Sequence, residues 1–452
     1  MADGKPTPAT PAAADPLAVL RTPAYLRLLA LAAILGAPIA AAAWAFLWLV
    51  DRLQTQLYTD LPGHLGFNTV PVWWPLPLLA IAGVLTALAI TRLPGNGGHS
   101  PADGFKAGGH PAVRDVPGIA LAALATLALG VVLGPEAPLI ALGGGLALIA
   151  LSRRRPDEQT ENLVASTGSF AAISTLFGNP ILAAFLLMEA AGLGGAMLDL
   201  ALVPGMLAAG VGALIFIGLD SWTGLGTFSL VIPNLPHTGS PTLAEFGWAI
   251  AIGLLAAVAG SAIRGLALAA RPHVERRMLR LMPVVGLAVG GLAILYHELS
   301  GRNSTEVLFS GQTALGPLIQ HNADYSIGAL LALVLCKSLA YGLSLSCFRG
   351  GPVFPSMFIG AAGGMALSHL PGLPVIPAVA MGIGAMCAAM LGLPLTSVML
   401  ATLLLLSDGL TVMPLVIVAV VVAYVARARL TPLWRPPATR AAPAETHPVG
   451  TT

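Results

Sequence analysis

Charge is what this sequence has least of. Lys, Arg, Asp and Glu together make up 9% of 452 residues, while 56% of the residues are hydrophobic; soluble domains carry about 25% charged residues. A soluble fold is thereby excluded, and the chain reads as an all-α polytopic membrane protein. A net charge of +2, with the basic residues in short clusters beside apolar spans, argues against nucleic acid as a partner. Cysteine is scarce too. Cys336, Cys347 and Cys387 have neither paired nor metal-ligand spacing, so they predict no disulfide framework and no metal site, only small core residues. The first sixteen residues, rich in Ala, Pro and Thr, lack a basic segment followed by an apolar core and read as a tail rather than a secretory signal.

What is present is apolar sequence, in fourteen stretches from 28–50 to 410–426. Several are shorter than the ~20 residues that a perpendicular helix needs. Many contain Gly or Pro, which predicts tilted, paired and broken helices. The expected organisation is an N-terminal tail and lead-in (1–24), a first membrane repeat (25–219), an external linker loop (220–245), a second membrane repeat (246–434) and a C-terminal tail (435–452). The linker is acidic and free of Lys and Arg. Basic clusters at Arg153 to Arg155, Arg271 to Arg280 and Arg427 to Arg435 predict the cytoplasmic side, with both termini there and the plasma membrane as location.

Within the apolar run from Pro117 to Ser152 the only charged residue is Glu136, in Gly134-Pro135-Glu136-Ala137-Pro138. A carboxylate at that depth costs about 2.5–3.5 kcal/mol on insertion scales unless it is paired, hydrated or neutralised. The same break recurs as Gly351-Pro352-Val353-Phe354-Pro355, with Gly143 and Gly360 following at equal distances, an offset of 217 residues between Gly134 and Gly351. Gly178-Asn179-Pro180-Ile181 and Gly392-Leu393-Pro394-Leu395 repeat at an offset of 214. Short, Gly/Pro-interrupted segments at matching places in two halves predict an inverted repeat with a binding site near the midplane.

Two helix N-termini meeting there would offer free N–H groups and positive dipole ends to an anion. Lys337 and Arg349 flank the second break, which favours coordination by backbone dipoles over a fixed cation. Such binding stays weak enough for release. Glu136 then reads as a tethered anion that fills or vacates the donors, or alternatively as a plain cap on the helix starting near Pro138. The loop Gly95-Asn96-Gly97-Gly98-His99-Ser100-Pro101 adds flexible backbone and a hydroxyl; it is not a phosphate loop, and His99, Asp103 and His110 do not have metal-ligand spacing.

In this order, these three elements resemble the CLC family of chloride channels and chloride/proton antiporters, over roughly residues 25–430. The family patterns Gly-Ser-Gly-Ile-Pro, Gly-Lys/Arg-Glu-Gly-Pro and Gly-x-Phe-x-Pro are similar to 97–101, 134–138 and 351–355. Lys337-Ser338-Leu339-Ala340, Pro355 to Ala361, and Phe177-Gly178-Asn179-Pro180 leading to Glu189 extend the likeness. The resemblance implies an inverted-repeat fold of about 18 helical segments and a homodimer with one pore per subunit. It implies Glu136 as the gating glutamate, and no cofactor beyond a permeant chloride or similar small inorganic anion, with protons as a further partner. Membrane lipid is the surroundings. The anion contacts would fall on Gly98, His99, Ser100, Val353, Phe354 and Trp434, and a proton path on Glu136 and Glu189. The chain departs from the family in four places. Gly98 stands at the serine position, Pro352 lacks an N–H, Trp434 replaces a tyrosine, and Ala190 stands where antiporters often carry a second glutamate.

Two other classes fit the sequence less well. An intramembrane enzyme would need a base beside Ser166-Thr167-Gly168-Ser169, and every histidine falls in a loop or near the end of a span. An inverted-repeat carrier for another substrate would need more intramembrane acidic ligands than Glu136 and Glu189.

Overall fold

A computed structural model describes residues 20–105, 110–152, 157–192, 196–223, 231–232, 238–405 and 407–431. Trp434, Arg153 to Arg155, the C-terminal tail and most of the N-terminal one lie outside the described residues. The first half holds α1 (Pro23–Thr55), α2 (Pro75–Arg92), α3 (Val116–Ala128), α4 (Glu136–Ile149), α5 (Glu158–Phe177), α6 (Pro180–Ala190) and α7 (Ala196–Thr223). The second holds α8 (Leu243–Glu275), α9 (Met278–Ser300), α10 (Gln312–Gln320), α11 (Ile327–Cys347), α12 (Val353–Leu367), α13 (Val375–Leu391), α14 (Pro394–Leu404) and α15 (Ser407–Leu430). Short 3-10 turns join some of them. Helix α7 runs four residues past the expected end of the first repeat, because Asp220 to Thr223 continue its last turn.

Six helices among the described residues are long and apolar enough to cross a bilayer, including α2, α8, α9 and α11. Helix α4 is not. Its 14 residues span about 21 Å at 1.5 Å per residue, against a hydrocarbon core of about 30 Å. Helices α6, α12, α13 and α14 are likewise short apolar elements.

The repeat seen in the sequence has a packing counterpart. In the first half Gly143 of α4 lies against the Gly168 carbonyl of α5, and a Cβ on either glycine would overlap the other's backbone. In the second half Gly360 of α12 and Gly382 of α13 meet in the same way. Small residues at such crossings let helix backbones approach closely, which is what association in lipid relies on. Each pair then ends alike: Gly178 (φ 62°) closes α5 and Gly392 (φ 72°) closes α13, both left-handed, and Pro180 and Pro394 open the next helix. From Ile376 to Leu391 every residue of α13 is buried, so its apolar composition on all sides marks a helix enclosed by protein. All three cysteines are buried and unpaired.

Candidate functional site

Helices α4 and α12 begin without side-chain caps of their own, since their N-cap residues are Pro135 and Pro352. The two breaks are instead tied to each other. The Gly134 N–H donates to the Gly351 carbonyl at 2.7 Å and the Gly351 N–H returns a bond to the Gly134 carbonyl, forming one antiparallel bridge between the halves. Pairing these peptides puts the first turn of each helix beside the other.

Glu136 is the first residue of α4, not a residue before it, and its exposure is 0%. Its Oε1 accepts the Phe354 N–H of α12 at 2.9 Å, a bond from the first half to the second. Its Oε2 is buried and has no hydrogen-bond partner among the described residues. The space for the carboxylate comes from the two bridging glycines: a Cβ on Gly134 or Gly351 would overlap its oxygens. One oxygen is thus held by a helix N-terminus and the other is free to take a proton or move.

The second break is closed by side chains. The Pro352 carbonyl accepts the Tyr341 hydroxyl at 3.0 Å and the Ser356 hydroxyl at 2.6 Å. Tyr341 and Ser356 are fully buried. The Phe354 ring packs on Phe177 at the end of α5, with centroids 5.8 Å apart. Sequence reasoning missed Tyr341. The only signal for it is a hydroxyl-bearing aromatic one turn beyond Lys337 in a largely apolar helix.

Glu189, near the C-terminal end of α6, also crosses to the second half. Its Oε1 accepts the Leu395 N–H at 3.0 Å, and its Oε2 accepts both the N–H and the hydroxyl of Thr396 at 2.7 Å. Helix α14 needs this because its N-cap position is Leu393, which has no capping group. Helix α6 has Asn179 there, whose Oδ1 accepts the Ile181 and Leu182 N–H groups. Ala190 ends α6.

Gly98 and His99 line a cavity of about 250 Å³ that also reaches Ala137, Pro138, Arg349 and Gly350. Ser100 does not line it; it precedes the short turn Pro101–Asp103. Asp103 pairs with Arg271 at 2.6 Å, and among the described residues no group of three His, Cys, Asp or Glu could hold a metal ion. Arg349, which flanks the second break, also lines this cavity. The chain turns back at Phe348 (ψ 176°), where α11 ends, and the guanidinium lies against Asn96 of the glycine-rich loop. The Ser169 hydroxyl donates to the Ile140 and Ala165 carbonyls at 2.9 and 3.2 Å and has a helix-packing role.

This is a protein in which two broken helices from opposite halves meet around a buried carboxylate. The sequence profile of the voltage gated chloride channel family matches residues 95–427, and the chain belongs to that family, the CLC anion transport proteins. A provisionally named ion-transport protein, YfeO, of Escherichia fergusonii is 28% identical over 328 residues, 71% of this chain and 74% of the relative. A strain of Escherichia coli has a protein of the same name that is 27% identical over 332 residues, 72% and 75% of the two chains. The fold is similar to that of a slow cyanobacterial Cl⁻/H⁺ antiporter, with a TM-score of 0.71 at 19% identity, covering 90% of this chain and 97% of the other. A CLC-type fluoride/proton antiporter gives 0.66 at 21% identity, covering 91% and 98%.

Proposed function

We propose that the chain moves a small inorganic anion, chloride in the first instance, across the membrane through the site between α4 and α12, with Glu136 as a proton-dependent gate. The observation that carries the reading is the Phe354 N–H held by Glu136 Oε1 at 2.9 Å beside an Oε2 with no partner. Ionised, Glu136 occupies the donor that an anion needs. Protonated, it is a poorer acceptor, releases the helix N-terminus, and leaves Phe354 and Val353 to receive the anion. Because Pro352 supplies no N–H, these two residues carry the backbone contribution from the second half. Gly98 and His99 belong to the approach to that position, and Ser100 stands apart from it.

Glu189 has a different part. With both oxygens engaged by Leu395 and Thr396, it serves as a fixed cap on α14 and is not a step in a proton path. The protein acts as a homodimer of independently conducting subunits in the plasma membrane, both termini cytoplasmic. The decisive test is purified protein in lipid vesicles, with anion efflux and proton movement recorded together. Proton uptake against its gradient, driven by an anion gradient, is the result expected of coupled exchange. Anion flux with no proton movement at any pH would assign a passive pore.

A further inference from the structure

The cavity on the other side of the α4 N-terminus has a feature that anion passage at Glu136 does not itself require. Arg349 is 8% exposed and lines it. The guanidinium donates to four acceptor contacts, Asn96 (twice), Cys347 and Phe348, all neutral backbone carbonyls at 3.2–3.4 Å. Among the described residues no carboxylate lies within ion-pairing distance of it. The acidic groups nearby are already engaged. Asp103 and Glu275 share Arg271, each at 2.6 Å, and Asp115, which also lines the cavity, has Arg114 at 3.7 Å. Burial holds the imidazole of His110, also on the wall, below its ordinary range, so it is neutral at pH 7. Among the described residues Arg349 is therefore a buried charge with no carboxylate in contact, Asp103 and Glu275 acting on it only from a distance, a costly arrangement given how unfavourable an uncompensated buried charge is.

We propose that Arg349 is the fixed counter-charge for a small inorganic anion held in this cavity. The inference rests on the transport reading above and adds to it the residue that sets how tightly the anion is held before it reaches Glu136. The walls suit such an ion. Gly97 and Gly98 have φ of +69° and +87° and present bare backbone, and Gly97 abuts the Arg349 side chain. Ile119, Ala137 and Ile140 supply an apolar lining that lowers the local dielectric. At about 250 Å³ the space takes a monatomic or small polyatomic anion with a few waters. Gly350 connects the cavity to the bridging peptide of Gly351, so an anion leaving the guanidinium is already beside the first turn of α4.

The test uses the full chain in vesicles, with chloride and nitrate as probes, and three proteins: wild type, Arg349→Lys and Arg349→Gln. Arg349→Gln should raise the half-saturating anion concentration about tenfold or more, the loss of one charge-assisted contact. Arg349→Lys should stay within about threefold, since it keeps the point charge while losing the fork. An Arg349→Gln protein that elutes as the wild type does and saturates at the same concentration overturns the proposal. Should Arg349→Gln fail to fold, wild-type crystals grown in bromide decide the matter. An anomalous peak within about 4 Å of the guanidinium is expected, and none there overturns it. If wild type moves no anion at all, the transport reading fails, while the bromide experiment still judges the cavity.

Discussion

Glu136 and Glu189 start from the same half of the chain and end on the same kind of target, the N-terminus of a short helix in the other half. Their surroundings differ in every other respect. Glu136 is wholly buried, makes one hydrogen bond and leaves its second oxygen without a partner. Glu189 is half-buried and makes three, with both oxygens engaged. A carboxylate tied at both oxygens is a structural cap. One tied at a single oxygen, in a space kept open by Gly134 and Gly351, can leave at little cost in geometry. The number of bonds that must break, rather than depth or sequence context, is what sets the proposed gate apart from the proposed cap.

Substituting the two glutamates gives the sharpest contrast. Glu136→Gln should remove the dependence of anion flux on pH and cut proton movement about tenfold or more, with anion flux persisting. An unchanged pH profile in vesicles would remove Glu136 from the gate. Glu189→Ala should leave flux per folded molecule and its pH profile near wild type. It should instead destabilise the protein by about 1–3 kcal/mol, because the Leu395 and Thr396 N–H groups lose their acceptor; thermal unfolding in detergent reads this. If it abolished proton movement at normal stability, the cap assignment would be wrong.

A smaller effect probes the space around the gate. Gly351→Ala puts a Cβ onto the Glu136 carboxylate and should cost about 1–3 kcal/mol. Combining it with Glu136→Ala should recover part of that loss in a double-mutant cycle, since the overlapping group is gone. The smallest change is Tyr341→Phe, expected to cost about 1 kcal/mol or less. The Ser356 hydroxyl, at 2.6 Å, still satisfies the Pro352 carbonyl. A large loss there would mean that Tyr341 contacts the anion rather than the helix.

Much of this was open to reading because membrane insertion makes charges rare. Glu136 stood out as the only charge in its run, and the Gly-Pro breaks repeated at offsets of 217 and 214 residues. The structure places both breaks together at a single backbone bridge. Partnership was harder to read. Nothing local to Glu136 or Glu189 says that each bonds the N-terminus of a helix some two hundred residues away, because capping patterns are recognised between near neighbours and these run between repeats. The contact of Arg349 is equally remote: Asn96, 253 positions earlier, brings the glycine-rich loop across it. Tyr341 gave no pattern, since its acceptor is a backbone carbonyl.

The bridge between Gly134 and Gly351 also sets an order of events during synthesis. Glu136 leaves the ribosome 218 residues ahead of the Phe354 N–H that receives it. At about 5–20 residues per second the delay is on the order of 10–40 s. Through that interval the first half sits in the bilayer with an unmet carboxylate, which must be protonated or hydrated to stay there. The acid proposed as a gate therefore begins as an obstacle to insertion, and arrival of the second half is what gives its carboxylate a donor.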